Sequence, residues 1–119
     1  MKIAVTAEND NGFESNVNPH FGRSPYFAIV DTETEEIELV KNEAARASGG
    51  AGVSAAQLIS DRGVEALISG GVGPKAYTAL ARGNIEMYSI KDGTIRQAVE
   101  AFEEGSLSQL TSPNGTPRK

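Results

Sequence analysis

The chain has 119 residues, of which 39% are hydrophobic, and a formal net charge of −5. That length fits one domain, and the acidic balance disfavours nucleic acid as a partner, because the 11 Lys and Arg residues are scattered rather than clustered. The count of zero cysteines excludes disulfides, thiolate zinc sites, a cysteine nucleophile and protein-thiolate ligation of an iron–sulfur cluster.

No apolar run approaches the roughly 20 residues of a membrane span. The N-terminus turns polar directly after Met1-Lys2-Ile3-Ala4-Val5-Thr6, as a first strand does and a signal peptide does not. A cytoplasmic protein without a membrane partner is the expectation. Lys2 to Ala7 alternates as a strand. A long polar segment follows from Glu8 to Pro25, and a loop of that length in a small domain points to function or disorder. Tyr26 to Asp31 and Glu36 to Lys41 are strand-like, and the short polar turn between them makes an antiparallel hairpin. Glu33, Glu35, Glu36 and Glu38 around that hairpin read as a solvated face.

After Asn42 to Ser48 comes Gly49-Gly50-Ala51-Gly52, then a helix expected from about Val53 to Arg62 and stopped by Gly63. Val64 to Ser69 is short and apolar, as a buried parallel strand should be. Gly70-Gly71-Val72-Gly73 leads to Pro74, which is suited to the first turn of a helix reaching Arg82. Ile85 to Ile90 is a further strand. Thr94 with Gln97 forms a capping box, and Ile95, Ala98, Val99 and Phe102 give the apolar stripe of an amphipathic helix ending at Gly105. The domain is expected over 1–104, with 105–119 as a flexible tail.

Ser48-Gly49-Gly50-Ala51-Gly52 and Ser69-Gly70-Gly71-Val72-Gly73 echo each other at an offset of 21 residues. Gly12, Gly22, Gly49, Gly50, Gly52, Gly70, Gly71 and Gly73 all fall in three loops, two of which run into helices. Glycine admits close approach of backbone to a ligand, and a helix N-terminus offers free N–H groups with a partial positive charge. Together they can hold an anion, at the C-terminal ends of parallel strands where ligands bind in such sheets. Tight turns alone would also account for any one of these loops.

His20 is the single histidine, within Asn18-Pro19-His20-Phe21-Gly22-Arg23-Ser24. A neutral imidazole can ligate a metal and a protonated one can hold an anion. Arg23 can grip a carboxylate in bidentate fashion, and Lys75, one residue into the helix after the second glycine loop, could reach the same ligand or simply be solvated. Catalytic patterns are lacking: there is no serine–histidine–acid signature and no Gly-x-Ser-x-Gly elbow. One histidine cannot build a His-rich metal centre, and Glu8 and Asp10 have no convincing partners for a cation. Gly50/Gly52/Ala55 and Gly71/Gly73/Ala76 match Gly-x-Gly-x-x-Ala, but the first strand lacks the motif and no P-loop is present.

The run from Ser15 to Phe27, with its His-Phe-Gly-Arg-Ser core at 20–24, resembles the signature loop of the dinitrogenase iron–molybdenum cofactor-binding and biosynthesis family. The first strand, Gly70 to Ala76 and the closing helix agree in order and spacing. The resemblance implies a ribonuclease H-like α/β/α fold, with a five-stranded mixed sheet of order 3-2-1-4-5 and strand 2 antiparallel. It also implies binding or carriage of an iron–molybdenum cofactor, or another iron–sulfur cluster or precursor, with cofactor-assembly proteins as partners. His20 would correspond to the family's candidate metal ligand. Phe21, Gly22, Arg23 and Ser24 would surround the cofactor with Gly49, Gly50, Gly52, Gly70, Gly71, Gly73 and Lys75. Without cysteine, such a cofactor would have to keep its own sulfides. A sensor or enzyme for a nucleotide or phosphate metabolite, and a regulatory protein-interaction module, stand as alternatives. The ribonuclease H-like fold would not by itself carry nuclease activity.

Overall fold

The computed structural model describes residues 1–46 and 49–114. Its sheet contains β1 (Lys2–Ala7), β2 (Tyr26–Asp31), β3 (Ile37–Lys41), β4 (Val64–Ser69), β5 (Glu86–Ser89) and β6 (Ser108–Gln109). The helices are α1 (Ala51–Ser60), α2 (Pro74–Arg82) and α3 (Ile95–Glu104). The spatial order of the strands is β3-β2-β1-β4-β5-β6.

The first five strands take the order and directions that the family resemblance implies. β2 runs antiparallel to both β1 and β3, with Ile3 opposite Val30 and Ala28 opposite Leu39. β1, β4 and β5 are parallel, with Ala4 beside Leu67 and Leu67 beside Met87. The parallel strands are apolar on both faces because both faces are covered. On one side, Ala4, Phe27, Ile29, Leu67 and Met87 pack with Ala55 and Ile59 of α1 and with Ala76 and Leu80 of α2. On the other, Ile3, Val5, Ala28, Val30, Ala66 and Ile68 meet Ile95, Ala98 and Val99 of α3.

Local signals fix the helix ends. Thr94 Oγ1 accepts the Gln97 N–H at 3.2 Å and Gln97 Oε1 accepts the Thr94 N–H at 2.9 Å, which completes the capping box. Gly63 and Gly105 both adopt positive φ, 75° and 74°, a conformation that costs a residue with a Cβ about 1–2 kcal/mol.

Two expectations change. The sheet has six strands, not five. The segment expected to be a flexible tail from 105 onward supplies β6, which pairs Ser108 with Ser89 and Gln109 with Tyr88, and the Leu110 N–H donates to the Met87 carbonyl at 2.7 Å. The edge of β5 offers unpaired backbone groups, and this polar segment satisfies them; residues 115–119 lie outside the described residues. The second change is at α1, which begins at Ala51 rather than Val53. Gly52 is therefore a helical residue and not part of a loop.

Candidate functional site

The site expected from the sequence lies at the C-terminal edge of β1, β4 and β5. The long segment after β1 returns along that edge. Val17 bridges back to Ala7, the Asn18 N–H donates to the Thr6 carbonyl at 2.9 Å, and the Val17 N–H donates to the Gly93 carbonyl at 2.8 Å. Beneath it sits a buried polar pair. The Thr6 hydroxyl donates to the Asn18 carbonyl at 2.7 Å and lies 3.3 Å from Ser69 Oγ, and Ser69 Oγ accepts the Gly71 N–H at 3.3 Å. The Thr6–Ser69 contact thus links a side chain that holds the loop after β1 to one that holds the loop after β4.

The signature loop is built on these anchors. Asn18 Oδ1 accepts the His20 N–H at 2.8 Å, an Asx turn that sets the backbone direction of the histidine. The Phe21 N–H donates to the Gly71 carbonyl at 3.0 Å, and the Phe21 ring packs against Phe27 at 5.3 Å between centroids. Phe21 is buried and His20 is exposed. Among the described residues the imidazole has no hydrogen-bond partner, so it is held by its backbone alone. Ser24 is fully buried. Its Oγ accepts the Ala7 N–H at 3.1 Å and lies 2.8 Å from the Tyr26 carbonyl, so Ser24 splices the loop to β1. Arg23 Nη1 donates to the Ala45 carbonyl at 3.0 Å and braces the 3-10 turn at Glu43–Arg46.

Asn42 belongs to the same loop framework, although nothing in its sequence context marks it. It is 3% exposed, and its Nδ2 donates to the carbonyls of Gly22 (3.1 Å) and Ser24 (2.8 Å). Its own N–H donates to the Pro25 carbonyl at 2.9 Å. An asparagine after a strand reads as a turn residue, and only tertiary structure reveals it as the clamp on the signature loop.

The glycines divide into two groups. A Cβ on Gly70 would lie 2.6 Å from Pro19 Cα, one on Gly22 would lie 2.9 Å from the Gly52 nitrogen, and one on Gly52 would lie 2.9 Å from the Ala76 Cβ. These three residues let protein approach protein: loop on loop, loop on helix, and helix on helix. At Gly49, Gly50 and Gly73 a Cβ would meet nothing within 4 Å, and Gly50 has φ 72° at the N-cap of α1. Gly49, Gly50 and Gly73 therefore face open space, while Gly22, Gly52 and Gly70 lie in packed seams.

One consequence of those seams is electrostatic. Gly52 is the second residue of α1 and Ala76 the third of α2, so their contact places the two helix N-termini side by side. Neither N-cap residue carries a side-chain cap, and neither first turn has an acidic residue. The first N–H groups of α1, and those of Lys75 and Ala76 in α2 (whose first residue, Pro74, has none), lack intrahelical partners and carry partial positive charge. Lys75, in the first turn of α2, is exposed. The structure thus gathers the signature loop, the start of α1 and the Gly70–Gly73 loop into one place.

Among the described residues no group of three or more His, Asp or Glu side chains is placed to hold a metal ion, and no helix is long and apolar enough to cross a membrane. A separate cavity of about 160 Å³, lined in part by Phe13, Asp31, Arg96, Val99 and Glu103, shares no residue with the site expected from the sequence.

A six-stranded mixed sheet covered by three helices defines a small α/β protein, and the family and structural neighbours place it among small cofactor-related proteins. The chain belongs to the dinitrogenase iron–molybdenum cofactor family, whose pattern matches residues 1–105. It is 36% identical over 113 residues to an uncharacterized protein of Methanocaldococcus jannaschii, covering 92% of each chain. Its fold superposes on the apo form of the orange protein of Desulfovibrio gigas with a TM-score of 0.92 and 40% identity over 96% of both chains. A NifB-like protein from Thermotoga matches with a TM-score of 0.85 and 34% identity over 98% of both.

Proposed function

We propose that the protein binds and carries an anionic iron–sulfur or iron–molybdenum-type cofactor, or a precursor of one, and performs no chemistry on it. The observation that carries this reading is the side-by-side placement of two uncapped helix N-termini behind the His20 loop. An anion held by backbone N–H groups needs no charged cage, and Gly49, Gly50 and Gly73 leave space for it to approach the main chain. Lys75 and Arg23 add positive charge on an otherwise acidic protein.

The donor set suits a cargo that arrives assembled. With no cysteine in the chain and no multidentate cluster of His, Asp and Glu among the described residues, the protein has no means of building or tightly ligating a cluster. A cofactor that arrives with its sulfides and terminal ligands already in place could be held by backbone N–H groups, with His20 as an exchangeable ligand. Family membership and the likeness to the apo orange protein support the same reading.

The test is anaerobic titration with isolated iron–molybdenum cofactor, followed by visible absorption and gel filtration, on the wild type, His20→Ala and Lys75→Ala. Cofactor should co-elute with the wild type, be lost from His20→Ala and bind several-fold more weakly to Lys75→Ala. If the wild type binds no cofactor while a nucleotide raises its melting temperature, a phosphate-metabolite role replaces this one.

A further inference from the structure

Three consecutive carbonyls of the glycine loop after β4 are held by two different segments of the chain. The Gly71 carbonyl accepts the Phe21 N–H from the signature loop at 3.0 Å. Its neighbours turn to the C-terminal segment instead. The Val72 carbonyl accepts the Asn114 N–H at 3.1 Å, and the Gly70 carbonyl lies 3.4 Å from Asn114 Nδ2. The Val72 N–H donates to Asn114 Oδ1 at 2.8 Å. One asparagine therefore presents a donor and an acceptor from its side chain and a donor from its backbone to the same short stretch, much as a paired strand would. β6 and the Leu110–Met87 hydrogen bond lead the chain to that position.

We propose that Asn114 is a positioning residue for the ligand site, a clasp that fixes the Gly70–Gly73 loop and hence the direction of the α2 N-terminus. This inference rests on the carrier reading above for the identity of the ligand. The physical case is preorganisation. A glycine-rich loop has more backbone freedom to lose than any other, and ordering it when a ligand binds weakens affinity. Pro19 and Phe21 hold the loop from one side and Asn114 from the other, so the loop is ordered before a ligand arrives. The loop runs directly into Gly73, whose carbonyl accepts the first intrahelical bond of α2, from the Tyr77 N–H at 2.9 Å. A shift at Val72 is passed to the amides that would face the ligand. Asn114 itself touches no ligand in this account. By linkage, whatever the clasp adds to affinity the ligand returns as protection of the clasp.

The experiment compares wild type, Asn114→Ala and a chain ending at Leu110, which keeps β6. Amide hydrogen exchange is followed without ligand, and isolated iron–molybdenum cofactor is then titrated anaerobically and read by visible absorption and induced circular dichroism. In both altered proteins the Val72 amide should exchange at least tenfold faster, and cofactor affinity should fall about three- to tenfold with a changed dichroic band. The melting temperature of Asn114→Ala should stay near that of the wild type, which separates positioning from a loss of fold. If the wild type binds cofactor and Asn114→Ala binds it equally well with the same band, the clasp is overturned and the carrier reading stands. If the wild type binds no cofactor, the carrier reading fails and exchange at Val72 alone decides the clasp: unchanged exchange in Asn114→Ala overturns it.

Discussion

The two Gly-Gly-x-Gly segments look like copies in the sequence and differ in kind in the structure. In Gly49–Gly52 the second glycine supplies a backbone conformation, φ 72° at Gly50, and the last is already inside α1. In Gly70–Gly73 no glycine has positive φ. There Gly70 is needed for proximity, because the Pro19 backbone occupies the place of its missing side chain. The second loop is also pinned by hydrogen bonds from both sides, from Phe21 and from Asn114. The first segment thus combines a left-handed cap at Gly50 with a packed contact at Gly52, while the second relies on packing and hydrogen bonds without a left-handed residue, and substitution by alanine tells these positions apart.

The largest effect is expected at Gly70→Ala. The clash is with main chain, which cannot rotate away, so the cost should reach the upper part of the overpacking range, about 3 kcal/mol, measured by urea unfolding. Gly22→Ala should follow at about 2 kcal/mol for the same reason. Gly52→Ala is a closer contest. Helix propensity favours alanine by roughly 0.5–1 kcal/mol, while contact with the Ala76 Cβ costs about 1–3 kcal/mol, so a net loss near 1 kcal/mol is expected. The double variant Gly52→Ala/Ala76→Gly should recover part of that loss, and a cycle without coupling would show that the helices separate rather than compete for space.

Gly50→Ala should cost about 1 kcal/mol through left-handed strain alone; a penalty above that of Gly70→Ala would reverse the comparison of the two loops. The smallest effect on stability belongs to Gly73→Ala, within about 0.5 kcal/mol, because its φ of −73° suits any residue and its surroundings are open. Its effect should appear instead in cofactor affinity. A stable Gly73→Ala protein with undiminished binding would place the ligand away from this loop.

Most of the fold was legible because its determinants are local. Runs such as Val64 to Ser69, the Thr94–Gln97 box and the stops at Gly63 and Gly105 each declare an element within a few residues. β6 was not legible: Ser108 and Gln109 carry no apolar period, and they form a strand only because β5 presents an open edge. The start of α1 was misplaced because Ala51-Gly52 reads as loop, and only packing on Ala76 makes a glycine useful inside that helix. The candidate site was legible as a set of segments and illegible as a geometry. Nothing near Gly70 in sequence announces Pro19, and nothing near Asn42 or Asn114 announces the carbonyls they hold.

The buried pair Thr6 and Ser69, 63 residues apart in the chain, has a kinetic consequence. That contact, one of several that anchor the two loops, forms only once β1 and β4 have paired. Distant pairings close slowly, because loop entropy must be overcome before contacts compensate for it. Formation of the contact is therefore expected to follow that of local structure, and in a refolding experiment protection of the Gly71 amide, which donates to Ser69 Oγ, should lag behind the recovery of helical signal.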